Sequence, residues 1–412
     1  MLTTSSSAPD TTARSARAGW PAVLSVTTGI FAIVTTEILP IGLLTSIGAG
    51  FTVSDGTAGL MMTMPGYLAA VSAPTVTVVT ARIDRRAMLC ALMFLLAAAN
   101  FIAAAAPAYW ALLVSRVLVG VVIGGFWSIG AGLAGRLVPA RSVRRATAVI
   151  FSAVPLGSVL GVPMGTLIGN LGGWRVSFMI LGLLSVAVLI ALAVLVPPLP
   201  AGHVTRLDVL GGMVRARGTQ LALAATVLVV LAHFATYTYV APFLERVTHV
   251  SSGSITMFLL AYGVAGVAGN FLAGTAVARH PHAAFAAAGS LIAVATLALP
   301  LLGRSEPGAV ALLIVWGAGY GAVPVCSQTW FARAAPHAPE AASVLFTASF
   351  QATLSTGALL GGIVLDATSL PTVMTLGGAT AVCMALITSW RAYPGRGPDA
   401  PGAVDPARPV RG

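Results

Sequence analysis

Two ionisable side chains stand where this chain otherwise keeps none: Glu37 and Arg116 each lie well inside an apolar stretch. A charge at membrane depth costs about 3 kcal/mol or more, and such residues usually face a polar cavity and carry function. Burial raises the proton affinity of a carboxylate, and a nearby cation lowers it. A glutamate whose surroundings change between two conformations can therefore bind a proton in one and release it in the other. That chemistry is proton coupling. The alternatives are a static buried ion pair that fixes helix packing, or direct contact of Glu37 with a carried solute.

Other polar side chains interrupt the apolar stretches. His233 and Tyr237 are four residues apart and share a helical face. The histidine either titrates within a cavity or is a hydrogen-bonded structural residue. Gln328, Trp330, Gln351 and Asn100 suit a neutral, hydrogen-bonding solute that contains a ring; otherwise they join helices to one another. Trp127 and Tyr67 offer flat faces for stacking or for packing. Gly157, Gly161, Gly165 and Gly169 recur every fourth residue, which strips one helix face of side chains. Pro163 adds a kink to that helix.

These residues need apolar helices to hold them, and composition supplies little else. Of 412 residues, 57% are hydrophobic and 8% charged, with a mean hydropathy of +0.94. About 20 apolar residues cross a bilayer as a helix. Twelve candidate spans follow, at roughly 20–44, 57–80, 87–106, 109–134, 146–170, 175–196, 219–242, 253–278, 284–303, 309–332, 341–365 and 371–391. The expected class is an all-α membrane protein with twelve transmembrane helices. Its expected parts are a disordered cytoplasmic tail (1–19), a six-helix half (20–196), a central cytoplasmic loop (197–218), a second six-helix half (219–392) and a cytoplasmic tail (393–412).

All 22 basic residues are arginine. With the N-terminus inside, only Arg175, Arg246 and Arg304 fall in outer loops and Arg116 in a span; the rest are cytoplasmic, as the positive-inside bias requires. Both termini are then cytoplasmic. Glu37 and Arg116 sit about 12 Å and about 10 Å from the outer ends of their spans, at one level in one half. The scattered arginines exclude a nucleic-acid surface. Cys90, Cys326 and Cys383 have no metal or redox spacing. No metal or nucleotide cofactor is implied; a phosphate-cradling loop of the Gly-x-x-x-x-Gly-Lys kind needs a lysine, and there is none. A membrane-embedded enzyme would cluster His, Asp or Glu at one depth, and a sensor would carry a sizeable soluble domain. Neither pattern is present.

Four stretches carry a family resemblance. Thr36-Glu37-Ile38-Leu39-Pro40-Ile41-Gly42-Leu43-Leu44 resembles the first-span signature of bacterial twelve-span drug:proton antiporters of the major facilitator superfamily. Arg116-Val117-Leu118-Val119-Gly120 with Gly124-Gly125-Phe126-Trp127 resembles their fourth-span motif. The run from Gly157 to Thr166 resembles their fifth-span antiporter motif, and Leu137-Val138-Pro139 and Gly173-Trp174-Arg175 also fit. The chain is similar to purine-ribonucleoside efflux pumps and to arabinose-efflux and chloramphenicol-resistance permeases.

The resemblance implies two pseudo-symmetric halves and alternating access. It implies export of a drug, nucleoside or sugar-like molecule in exchange for protons, by a monomer in the bacterial inner membrane. Uptake by symport or facilitation is the alternative. It also implies a cytoplasmic gate of Asp84, Arg85, Arg86 and a fourth-span arginine, Arg136, although Thr80 and Ala87 replace the two glycines usual in that loop. The plainer reading of this segment is a solvated, positively charged loop. Asp55 reads as a helix N-cap, and Glu245 with Arg246 as a surface pair.

Overall fold

In a bilayer every backbone N–H and C=O must find its partner within the protein, which leaves helices as the way for single apolar segments to cross. The computed structural model describes residues 11–80, 83–130, 133–200, 217–334 and 339–392, and all its long elements are helices. There are twelve: α1 (Thr11–Phe51), α2 (Leu60–Val79), α3 (Arg85–Ala105), α4 (Tyr109–Gly130), α5 (Val143–Gly172), α6 (Trp174–Leu195), α7 (Arg217–Tyr237), α8 (Ser252–Arg279), α9 (Pro281–Leu302), α10 (Glu306–Ala334), α11 (Pro339–Ala367) and α12 (Leu370–Ala392). Eleven spans are apolar and long enough to cross a membrane, each on one of these helices. The remaining helix is α2, 20 residues long. Each expected span falls on one of these helices.

The first helix begins at Thr11, ahead of the boundary at 19 expected for the N-terminal tail. Residues 1–10, most of the central loop, Arg82 and the C-terminal tail lie outside the described residues. The turn from α5 to α6 rests on Gly173 at φ +84°, a conformation that L side chains rarely adopt.

In the first six helices α1 packs on α5, α2 on α4 and α3 on α6. In the second six α7 packs on α11, α8 on α10 and α9 on α12. Adding six to each number converts one set into the other, so the two sets are pseudo-symmetric copies. They meet through α2 against α11 and α5 against α8. Large apolar side chains such as Leu171, Val194, Phe271 and Leu301 point outward, as a lipid-facing surface requires.

The buried core is unequal along the bundle. One apolar cluster runs through both halves, from Leu39, Met61 and Phe178 to Val229, Trp316 and Met374. In the first half it occupies the end that carries the α1–α2 and α5–α6 connections, and in the second half it continues to Ala273, Val277 and Phe285 beside the α8–α9 connection. Toward the other end Ile30, Leu92, Phe126 and Ile150 form a separate cluster confined to the first half. The halves are therefore welded at one end only, called here the closed end.

The glycine ladder of α5 faces α1. A Cβ on Gly157 would meet Val34 at 3.0 Å, one on Gly161 would meet Ile38 at 3.3 Å, and those on Gly165 and Gly169 would collide with Leu39 and Leu43. Missing side chains let two helices approach closely in lipid, where no hydrophobic drive assembles them. Gly165→Leu is expected to overpack this contact by about 1–3 kcal/mol and lower the melting temperature of the detergent-solubilised protein. An unchanged melting temperature would mean that α1 and α5 are not held this closely.

Candidate functional site

The site begins with two prolines. Pro40 lies inside α1 and has no N–H to give the carbonyl of Thr36, four residues earlier. Pro65 in α2 likewise leaves the carbonyl of Met61 without its helical donor. In lipid an orphan carbonyl needs another partner. Arg116 of α4 supplies it. Its Nη1 donates to Thr36 O at 2.9 Å, its Nη2 to Glu37 O at 3.0 Å and its Nε to Met61 O at 3.0 Å. The guanidinium is fully buried. Its planar fork thus ties α1, α2 and α4 together at the two places where their own ladders are broken.

Glu37 and Arg116 are therefore adjacent, as their depth suggested, but through the backbone of Glu37. The two side chains form no ion pair. The Glu37 carboxylate, 8% exposed, accepts a hydrogen bond from Gln351 Nε2 at 2.9 Å instead. Gln351 is on α11, so this bond crosses from one half to the other. Asn100 supports α1 from behind, donating to Thr36 Oγ1 at 3.2 Å.

The second half contributes a stack of rings. His233 lies parallel to Tyr320 at 3.4 Å between centroids and to Tyr237 at 4.9 Å. Tyr237 continues onto Tyr262 at 4.5 Å. Trp316 donates from Nε1 to His233 Nδ1 at 3.1 Å, so His233 is neutral at that nitrogen. His233 and Tyr237 do share a face, and both are buried within this stack. Tyr320 is half-buried. Sequence reading missed Tyr262, Trp316 and Tyr320; the four-residue spacing of Trp316 and Tyr320 on α10 was a signal of the same kind as His233 and Tyr237, but their meeting with Tyr262 of α8 is decided only by packing.

The other expected cavity residues are dispersed. Gln328 is exposed, and Trp330 is half-buried against His282 at 4.7 Å and Phe285 at 5.9 Å. Trp127 stands edge-on to Phe126 at 6.2 Å. Tyr67 shares a hydrogen bond with Thr356 Oγ1 at 2.9 Å, a second link between α2 and α11. A cavity of about 660 Å³ lies between α5 and α8, lined by Pro163, Met164, Leu167, Met257 and Leu260 among others.

Polar contacts also fasten the closed end. Ser54 caps the short helix Asp55–Ala58 by accepting from Thr57 N at 3.1 Å, so Ser54, not Asp55, is its N-cap. Ser54 Oγ donates to Asp366 Oδ2 at 2.7 Å, and Gly56 N donates to Asp366 Oδ1 at 3.1 Å. Asp55 is left free to pair with Arg246 at 2.6 Å and 3.2 Å. Arg246 thus bridges the halves and does not pair with its neighbour Glu245. Burial pushes the Asp55 carboxyl above the usual carboxylate range, with Arg246 opposing the shift.

At the opposite end the expected gate residues are engaged locally. Asp84 caps α3, accepting from Arg86 N at 2.8 Å and Ala87 N at 3.2 Å. Arg136 donates to the Pro200 carbonyl and Arg86 to the Ala193 carbonyl. Arg85 donates to Thr80 O at 3.2 Å. Asp84 is not paired with Arg136, because its carboxylate is already held by the cap. Among the described residues no group of His, Cys, Asp and Glu is placed to hold a metal.

The family model for the Major Facilitator Superfamily matches residues 24–350 and 223–411. The chain belongs to the major facilitator superfamily. This superfamily member is 30% identical over 374 residues to the purine ribonucleoside efflux pump NepI of Salmonella paratyphi A, covering 91% of this chain and 94% of that protein. It is 32% identical over 373 residues to the transcription regulatory protein OpdE of Pseudomonas aeruginosa, covering 90% and 93%. Its fold matches a crystal structure of a bacterial homolog of the human lysosomal transporter Spinster with a TM-score of 0.69 at 17% identity, over 91% and 95% of the two chains. The protein is a multi-span membrane transporter and not an enzyme.

Arg116→Gln is expected to leave at least one buried carbonyl without a donor, costing about 1–3 kcal/mol for each, read as a fall in thermal stability. Pro40→Ala returns an N–H to Thr36 O, so the double variant should lose less than the sum of the two single losses; strict additivity would refute the capping role. Arg246→Ala is expected to loosen the closed end modestly, by about 0.2–1 kcal/mol, since the pair is partly exposed. Asp55 loses its charge as pH falls through its raised titration. The difference between Arg246→Ala and wild type, followed as a distance between spin labels across the closed end, should therefore vanish in acid.

Proposed function

We propose that this transporter exports a small organic molecule in exchange for protons by alternating access, with Glu37 as the proton-carrying group. The observation that carries this reading is the hydrogen bond between Glu37 and Gln351. It places a membrane-embedded carboxylate on the boundary between the halves, where its environment must change when they rock apart. Because Arg116 is bound to three carbonyls, it is not consumed in neutralising Glu37. The carboxyl therefore stays free to exchange its proton with water admitted from either side.

The arginine distribution supports an orientation with the closed end outside and both termini in the cytoplasm of a bacterial cell. The conformation described is then open inward. The two-ended core supports the same cycle: one weld at the closed end is broken while a second forms at the other end. The glycine face of α5 gives α1 a smooth track, and α5 against α8 is one of the two largest helix contacts between halves. The similarity to NepI supports outward transport of a nucleoside-like molecule. Tyr320 presents a half-buried ring near Glu37, which suits a flat heteroaromatic cargo with hydrogen-bonding edges.

In proteoliposomes, Glu37→Gln is expected to abolish uphill transport driven by a pH gradient while preserving folding and energy-independent exchange of labelled purine ribonucleoside. Uphill transport by that variant at the wild-type rate would overturn the coupling role. Exchange of no purine ribonucleoside by the wild type would redirect the cargo assignment alone.

A further inference from the structure

Gln351 has an amide with two ends, and only one is occupied. Its Nε2 donates to Glu37 Oε1 at 2.9 Å, while its Oε1 is buried with no donor. Glu37 and Gln351 are 8% and 5% exposed, so bulk water does not readily fill the vacancy. A buried acceptor without a donor is costly. One group able to change this is the carboxyl bonded to the same amide. An ionised carboxylate only accepts, so against a primary amide it makes one bond and turns its second oxygen toward another acceptor. A protonated carboxyl both accepts and donates. It can complete a reciprocal pair, with amide N–H to carboxyl oxygen and carboxyl O–H to amide oxygen.

We propose that Gln351 is the positioning residue that ties protonation of Glu37 to closure of this end, so that the conformation described here is the proton-loaded one. The claim rests on the reading of Glu37 as the proton carrier and adds how its state is transmitted to the other half. A proton taken from water neutralises Glu37, fills the Gln351 Oε1 vacancy and strengthens the bond between α1 and α11. Its loss leaves a buried carboxylate facing an unpaired carbonyl oxygen across the boundary, which favours separation of α1 from α11 and opening. The charged and titratable groups around Glu37 are Arg116 on α4 and Tyr320 on α10. Both side chains ordinarily titrate well above neutrality, so neither changes charge between about pH 5 and pH 8. α5 carries no titratable side chain apart from Arg144 and Arg145 in its first turn. The pairs at the closed end, Asp55 with Arg246 and Asp366 with Ser54, lie beyond the end of α1.

The test uses full-length protein in proteoliposomes, with Cys90, Cys326 and Cys383 replaced by alanine and spin labels at Ala49→Cys and Thr368→Cys, exposed positions on opposite halves at the closed end. Wild type should show the short distance gaining population as pH falls. Gln351→Met keeps the length and removes the hydrogen bonds, so the midpoint should move down by about one pH unit, a roughly tenfold loss of proton affinity. Gln351→Glu lets two carboxyls share one proton, so the midpoint should move up; this arm stands if Gln351→Met fails to fold. Glu37→Gln should hold the short distance at every pH, because an amide there supplies the missing donor.

Unmoved midpoints in the folded Gln351 variants, with pH dependence still abolished by Glu37→Gln, would overturn the role of Gln351 and leave Glu37 as carrier. A pH dependence that survives Glu37→Gln would overturn the carrier itself.

Discussion

Everything at the centre of this molecule depends on one guanidinium bonded to backbone. Within a membrane the helical ladder must be complete, because no water waits to satisfy a broken rung. Pro40 and Pro65 each break one, at the same level of adjacent helices. A single arginine repairs both and takes the Glu37 carbonyl as well. Five donors in a rigid plane make arginine suited to this, where the compact ammonium of a lysine could not span three carbonyls. The residue that looked like a counterion is first a structural clasp.

That assignment changes what Glu37 can do. A carboxylate locked to a buried guanidinium would be a fixed ion pair, strongly held and slow to exchange protons. Here the fork points at carbonyl oxygens and the carboxylate at an amide of the opposite half. The guanidinium stays beside Glu37, while the hydrogen bond of its carboxylate leads to the other half. The hold on the α1 backbone and the link to the other half thus fall to different partners of one glutamate.

The weld between the halves is built to be reversible. It consists of the apolar cluster shared by both halves, helix contacts at small residues and a handful of polar bonds: Glu37 with Gln351, Tyr67 with Thr356, Asp366 with Ser54 and Gly56, and Asp55 with Arg246. Each contributes modestly once solvent and side-chain entropy are counted. Each half is held together by its own three helix pairs. A structure with firm halves and a light seam can move as two bodies.

Much of this was legible in the chain itself. Hydropathy located each of the twelve helices, because length and apolarity are properties of a segment alone. Glu37 and Arg116 announced themselves as charges in apolar runs. The four-residue glycine repeat marked a close helix contact, and a proline four residues after Thr36 and another four after Met61 already implied two orphan carbonyls. What the chain by itself could not state was who answers them. The donor comes from α4, the partner of Glu37 from 314 positions away, the rings around His233 from three helices, and the partner of Asp55 from the other half, 191 positions away. Sequence determined which groups would be in need, since backbone chemistry is local. Tertiary structure decided how each need is met, since in lipid the available partners are only those that packing brings within hydrogen-bond reach.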